Sequence, residues 1–174
     1  MLEKAPIILR ASLLTVSSER MTDTPRTADL DQLREIFSII PHCQEMGFEI
    51  ISLEPGKAAI RMEYQDCLIG NPESGVVHGG VISTLLDTAS GLSAMSAVSE
   101  TMPVATLDLR IDYLKPATPG IAIIGEGDCF RLSKSVAFIR GVAHQGDRDD
   151  PVAHCIATFM LGAAGFTSEK KRQA

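Results

Sequence analysis

The amino-acid sequence predicts an α+β domain in which about six antiparallel strands wrap around one long helix. Two observations lead to this fold class. One helical pattern runs without interruption from Gly79 to Ala97, and the segments around it alternate between strand-like runs and turn dipeptides such as Pro55-Gly56. With 174 residues, of which 45% are apolar and 22% charged, the chain fits one globular domain with a sizeable core.

A first, shorter helix is predicted ahead of the sheet. Asp29 or Asp31 can cap its N-terminus, Pro41 stops or kinks it, and residues 42–47 are expected to form a short turn. The apolar residues of this helix recur at spacings of three and four, as on the buried face of an amphipathic helix. They are Leu30, Leu33, Ile36, Phe37 and Ile40.

Strand patterns occupy most of the remaining chain. Pro55-Gly56 forms the hairpin turn between the first two strands, and Pro119-Gly120 marks a later turn. Residues 65–77 are expected to be the loop that positions the long helix. The predicted strands are 48–54, 57–64, 102–114, 121–130, 136–144 and 151–161.

The two ends of the chain fall outside this pattern. Residues 1–28 hold a short apolar patch interrupted by Arg10 and then a polar stretch, so we expect a flexible extension rather than a targeting peptide. Met21 is an alternative candidate for the start of translation. The folded domain is expected over 29–165, followed by a polar C-terminal tail at 166–174.

Charge and cysteine usage exclude several functional classes. The formal net charge of −6 argues against a nucleic-acid-binding surface, and no apolar run approaches the roughly 18–20 residues that cross a bilayer. The four cysteines show no Cys-x-x-Cys spacing, so neither a metal site nor a disulfide framework is expected. We expect a soluble, cytoplasmic protein with reduced thiols.

The long helix has two unlike sides. One side carries large apolar residues and is expected to face the core. The other side carries small residues and one acid, Asp87. Small residues allow a ligand or another backbone to come close. The apolar side holds Val81, Ile82, Leu85, Leu86, Ala89 and Leu92, and the small side holds Gly80, Ser83, Thr84, Asp87, Ser90, Gly91 and Ala94.

The N-terminus of this helix is a candidate anion site. Gly79 and Gly80 lie where the first turn leaves N–H groups unpaired at the positive end of the helix dipole, which attracts an anion or a developing oxyanion. From the residues alone, two interpretations stay open. The His-Gly-Gly segment at 78–80 is a tight turn before a solvated Asp87, or the turn and the acid act together in catalysis.

The His-Gly-Gly tripeptide at 78–80 is followed by Asp87, nine positions after the histidine, and then by Gly91. Asn71 lies a little upstream, and the downstream segment 105–117 ends in Tyr-Leu-Lys-Pro-Ala. This combination resembles the signature of hotdog-fold acyl-CoA thioesterases of the phenylacetate-degradation (PaaI) type. The resemblance covers most of the chain, and it implies the hotdog fold and hydrolysis of acyl-CoA thioesters to a free acid and CoA.

The resemblance also implies roles for particular residues. Asp87 would act as nucleophile or general base, and the Gly79 N–H would be the oxyanion donor. His78 would polarise the carbonyl or hold the turn, and a purely structural histidine is the alternative. Asn71 would orient the nucleophile or the water, although it lies one position farther from the histidine than in the relatives. Thr106 would lie near the hydrolytic water, unless it is simply a β-branched strand residue.

Substrate contacts and partners are expected as well. Gly80 and Leu86 would contact the substrate, coenzyme A would enter only as part of that substrate, and no cofactor or metal is expected. The resemblance implies a homodimer or homotetramer with active sites at the subunit interface. Two alternatives are a non-catalytic acyl-CoA binding or sensing module and a hotdog hydratase.

Overall fold

The computed structural model describes residues 29–163. Within that range the chain forms a six-stranded antiparallel sheet and one long helix, so the predicted α+β class is confirmed. The expected extension at 1–28, the alternative start at Met21 and the tail at 166–174 lie outside the described residues and stay predictions.

Helices and strands follow one another closely between residues 29 and 163. The helices are α1 (Leu30–Ser38), α2 (Pro41–Glu45) and α3 (Gly79–Ser96). None of these three is long and apolar enough to cross a membrane. The strands are β1 (Phe48–Glu54), β2 (Lys57–Met62), β3 (Ile69–Asn71), β4 (Val76–Val77), β5 (Val104–Tyr113), β6 (Ile123–Leu132), β7 (Val136–His144) and β8 (Ala153–Leu161).

The main sheet has the strand order β1-β2-β6-β7-β8-β5, with antiparallel pairing throughout. β1 and β5 are therefore its two edges. At the predicted turn between β1 and β2, Gly56 has a φ of 76°, a left-handed conformation that glycine adopts without a steric penalty. The chain passes from α3 to the edge strand β5 and only later fills the centre of the sheet.

Two local predictions were wrong in detail. Pro41 does not lead into a turn but occupies the first position of α2, where its missing N–H matters little because that group has no partner in the helix. The expected loop at 65–77 contains a 3-10 turn, Asp66–Leu68, and the small β3–β4 hairpin. The Tyr64 hydroxyl donates to the Gly75 carbonyl at 2.9 Å and ties this hairpin to the end of β2.

Strand boundaries also differ from the prediction where pairing partners change. β6 was expected at 121–130 but runs from Ile123 to Leu132. It pairs with β2 only as far as Asp128 and then continues against β7 alone. Its end is thus fixed by a partner strand rather than by its own residue pattern.

α3 is buried over more of its surface than its sequence predicts. Ser90 and Ala94, assigned to the small side, are fully buried, whereas Val81 from the apolar side is only partly buried. The helix therefore uses small residues as well as large ones to pack on the sheet. The buried apolar-side residues agree with the prediction: Ile82, Leu85, Leu86, Ala89 and Leu92.

Glycines in the central strand β6 explain this packing. A Cβ built on Gly127 would lie 2.8 Å from the Ala89 carbonyl oxygen, and one on Gly125 would lie 2.6 Å from Cγ of Leu85. Both distances are too short for a real side chain. The helix can approach the sheet this closely only because these strand positions carry no Cβ.

Candidate active site

The turn at residues 78–80 is held by the histidine itself. His78 is the N-cap of α3, and its Nδ1 accepts a hydrogen bond from the Gly80 N–H at 2.9 Å. Its backbone N–H donates to the Leu68 carbonyl at 2.9 Å, which joins the turn to the preceding loop. The ring thereby satisfies one of the unpaired donors of the first helical turn.

The Gly79 N–H remains available after this capping. Among the backbone hydrogen bonds of residues 29–163, none uses this N–H as a donor. The group lies at the N-terminus of an 18-residue helix, where the dipole is positive. It can therefore donate to an anionic oxygen.

Tyr113 contacts the same turn from the end of β5. Its hydroxyl donates to the Gly79 carbonyl at 2.8 Å and lies 2.7 Å from the Ser83 hydroxyl oxygen. These bonds fix the first turn of α3 against the strand. Tyr113 is not among the site residues predicted from the sequence, although its place in the Tyr-x-x-Pro-Ala segment was the available signal.

Asp87 lies two turns farther along α3 and is partly buried. Its Oδ1 accepts a hydrogen bond from the Thr106 hydroxyl at 2.9 Å. Thr106 precedes a bulge in β5, where the pairing register shifts between Thr106 and Asp108. The contact joins two residues that the sequence analysis had assigned to the site separately, and it fixes the orientation of the carboxylate.

The donor and the acid of one chain are far apart. Gly79 and Asp87 are eight residues apart on the same helix, which corresponds to about 12 Å along its axis. A carbonyl oxygen bonded to this Gly79 N–H is therefore beyond the reach of this Asp87. The Gly79 N–H and the Asp87 carboxylate of one chain therefore cannot contact the same carbonyl group.

An apolar cavity of about 380 Å³ opens beside Asp87. It lies between α1, α3 and the start of β5, and Asp87 and Thr106 are its polar residues together with Thr88. Such a cavity suits the apolar part of a ligand, with the carboxylate at one end. It is lined by Leu33, Ile36, Phe37, Ile40, Asp87, Thr88, Gly91, Leu92, Met95, Val104, Ala105, Thr106 and Phe159.

The other residues expected at the site lie elsewhere. The Asn71 side-chain oxygen accepts from the backbone N–H groups of Glu73 and Ser74, at 3.0 and 3.4 Å, so it shapes its own turn. Leu86 is fully buried in the core and does not line the cavity. Gly80 is exposed at the helix entrance, and its N–H is taken by the histidine cap.

Cys155 lies on β8, where its thiol is 3.7 Å from the Ser90 hydroxyl of α3. Burial raises the pKa of its thiol, and the nearby Asp87 carboxylate raises this pKa further, while hydrogen bonds from Ser90 and Gly141 lower it. The thiol therefore stays protonated at neutral pH and packs as a small apolar group. Within residues 29–163, no three His, Cys, Asp or Glu side chains gather as metal ligands.

Comparisons with known proteins point to thioesterases. A sequence model of the thioesterase superfamily matches residues 74–152, which include the histidine turn, α3 and β5. The medium/long-chain acyl-CoA thioesterase YigI of Salmonella typhimurium is 29% identical over 136 residues, covering 71% of this chain and 86% of the relative. These similarities identify the chain as a thioesterase, an enzyme that hydrolyses thioesters.

Solved structures identify the fold of this thioesterase as the hotdog fold. A crystal structure of a Pseudomonas aeruginosa protein is 41% identical, with a TM-score of 0.68 over 75% of this chain and 97% of that one. The Escherichia coli PaaI protein from the phenylacetic acid degradation operon has a TM-score of 0.68 at 18% identity, over 76% of this chain and 91% of that one. At that identity the likeness to PaaI concerns the fold alone.

The capping hydrogen bond of His78 should contribute to the stability of the thioesterase. His78→Ala removes the acceptor for the Gly80 N–H and should lower the free energy of unfolding by about 1 kcal/mol, measured by urea denaturation. His78→Asn supplies another good capping oxygen and should stay close to wild type. If the alanine variant matched wild type, the capping role of the ring would be refuted.

Proposed function

We propose that the protein hydrolyses acyl-CoA thioesters to a free carboxylic acid and CoA. The observation that carries this proposal is the Asp87 carboxylate, fixed by Thr106 at the end of an apolar cavity. A carboxylate there meets the carbonyl carbon of an acyl group whose chain occupies the cavity. The similarity to an enzyme named as an acyl-CoA thioesterase supports the CoA ester as the form of the substrate.

The chemistry needs little beyond these groups. The Gly79 N–H donates to the thioester carbonyl oxygen, and this bond strengthens as negative charge develops there in the transition state. The leaving group is a thiol with an ordinary pKa of about 8.5, so it departs as a thiolate without a strong general acid. A donor and a carboxylate are therefore sufficient.

Two routes are open to Asp87. As a nucleophile, its oxygen bonds to the carbonyl carbon, the C–S bond breaks, CoA leaves as the thiolate, and water then hydrolyses the resulting anhydride. As a general base, it takes a proton from a water whose oxygen attacks the same carbon, and the C–S bond again breaks. In both routes the Thr106 hydroxyl holds the carboxylate in position.

The site is completed by a second copy of the chain. The acid of one subunit acts with the Gly79 N–H of another, because about 12 Å separates the two groups within one chain. The edge strand β5 carries Thr106 and Tyr113, and no other strand of the described residues 29–163 pairs with its outer edge, which can therefore accept a second copy. Leu107 is 55% exposed on this strand in the single chain. A homodimer or homotetramer with shared sites follows, and cytoplasmic location stays a prediction.

Replacement of the acid tests the proposal directly. Asp87→Asn keeps the size of the side chain but can act neither as nucleophile nor as base, so turnover of acyl-CoA, followed by released thiol, should fall by at least about 10²-fold. Asp108→Asn is the matched control, because Asp108 is an exposed carboxylate on the same strand as Thr106. Equal activity of the Asp87 variant and wild type would overturn the assignment. If the wild type bound acyl-CoA but did not hydrolyse it, the result would favour a binding module.

Gly79 permits removal of the donor alone. Proline has no N–H and is favoured at the first position of a helix, and the extended conformation of His78 (φ −63°, ψ 133°) suits the residue before a proline. Gly79→Pro should therefore stay folded and lose about 10² to 10³ in turnover. Gly79→Ala keeps the N–H, and its Cβ would meet Tyr113 at an ordinary 3.6 Å, so this control should stay active.

Mixing the two inactive variants tests whether sites are shared. If Asp87 of one subunit works with Gly79 of its partner, a dimer of one Asp87→Asn chain and one Gly79→Pro chain has one intact site and one doubly altered site. Random exchange at equal amounts should then restore about a quarter of wild-type activity. Sites contained within single chains would give no recovery, since every chain would carry a defect.

A further inference from the structure

The cavity beside Asp87 runs along α3. On α3, Asp87, Gly91 and Met95 line it at spacings of four residues, so they form one stripe along the helix. β5 runs beside α3 in the opposite sense, since Tyr113 contacts Gly79 and Thr106 contacts Asp87. The cavity thus leads from the carboxylate towards the C-terminal end of α3.

The second wall comes from outside the sheet. α1 contributes Leu33, Ile36 and Phe37, which recur on one face of that helix, and Ile40 follows just after its end. Leu33 and Phe37 are buried and anchor α1, while Ile36 is partly buried. The neighbouring Ile39 is 72% exposed and does not line the cavity. One face of α1 therefore covers the cavity.

Gly91 leaves the passage open at its midpoint. A Cβ at this position would lie 3.3 Å from the Phe159 ring, so a larger side chain would fill the space between α3 and β8. Glycine is unfavourable in the middle of a helix. At this position its lack of a side chain leaves room for the cavity. Met95 lies one turn farther on and is the last residue of the stripe.

The length of the stripe from Asp87 to Met95 limits the length of the acyl chain that fits in the cavity. Asp87 and Met95 are eight residues apart, which is about 12 Å along the helix. An extended polypeptide spans about 3.3 to 3.6 Å for every three backbone bonds, and an extended alkyl chain of similar bonds therefore advances about 1.2 Å per bond. A straight chain of about ten carbons would fill the distance from the carboxylate to Met95.

We propose that this cavity is the acyl-chain site, that Ile36, Gly91 and Met95 set its length, and that straight-chain acyl-CoAs of about ten carbons are the preferred substrates. The inference rests on the proposed function and specifies the substrate class of that site. It assigns a role in specificity to α1, which contains none of the proposed catalytic groups.

A chain-length series tests the inference. Measured from butyryl-CoA to palmitoyl-CoA, kcat/KM should rise by about fourfold for each buried CH₂ and level off or fall beyond decanoyl-CoA. Met95→Ala should move the maximum to longer chains, and Met95→Trp should move it to shorter ones. Met160→Ala and Met160→Trp are matched controls, because Met160 is exposed on β8 and outside the cavity.

The role of α1 has its own matched pair. Ile36→Trp should lower kcat/KM for decanoyl-CoA by at least about 10-fold relative to butyryl-CoA, because the larger ring takes up cavity volume that the longer chain needs. Ile39→Trp changes a neighbouring solvent-facing residue and should leave the profile unchanged. Thermal unfolding of each variant checks that it is folded. A wild-type profile in folded Met95 and Ile36 variants would overturn the proposal.

Binding separates this inference from the proposed function. Calorimetric titration with free straight-chain carboxylic acids, from butyrate to palmitate, reads occupancy of the cavity without turnover. If no thioester is hydrolysed but the acids bind with a length optimum that the Met95 variants shift, the acyl site stands and the hydrolase assignment fails. If Asp87→Asn abolishes turnover while neither profile responds to Met95 or Ile36, the hydrolase stands and the acyl site is refuted.

Discussion

The close packing of α3 against β6 is the constraint on which the rest of the molecule depends. Because Gly125 and Gly127 carry no side chains, the helix lies directly on the strands, and residues as small as Ser90 and Ala94 fill the interface. This packing fixes which residues of α3 face away from the sheet. The partly buried position of Asp87 follows from it.

The length of α3 then separates the two groups of the proposed site. The positive helix end and the carboxylate are two turns apart, and β5 binds both of them, through Tyr113 at one and Thr106 at the other. Neither hydroxyl contact could be formed by α3 alone. The edge strand therefore orders both groups of the proposed site, and no strand within residues 29–163 pairs with its outer edge.

The sequence predicted much of this arrangement because its signals are local. The bounds of α3, the cap-and-glycine turn and Asp87 can be recognised from residue types at fixed spacings. Other features depend on contacts between distant segments. The burial of Ser90 depends on β8, whose Cys155 thiol lies against its hydroxyl, the end of β6 depends on β7, and the contact of Tyr113 with Gly79 depends on the path of β5. No pattern within one segment contains that information.

The division of the cavity walls has a consequence for how such a protein can diversify. The α3 wall belongs to the rigid core, where a single added methyl group meets a neighbouring strand or helix. The α1 wall is peripheral and is anchored by only two buried side chains, Leu33 and Phe37. Substitutions on α1 can therefore reshape the cavity with little disturbance of the sheet or of Asp87. Recognition can evolve on this short helix while the chemistry stays unchanged on the long one.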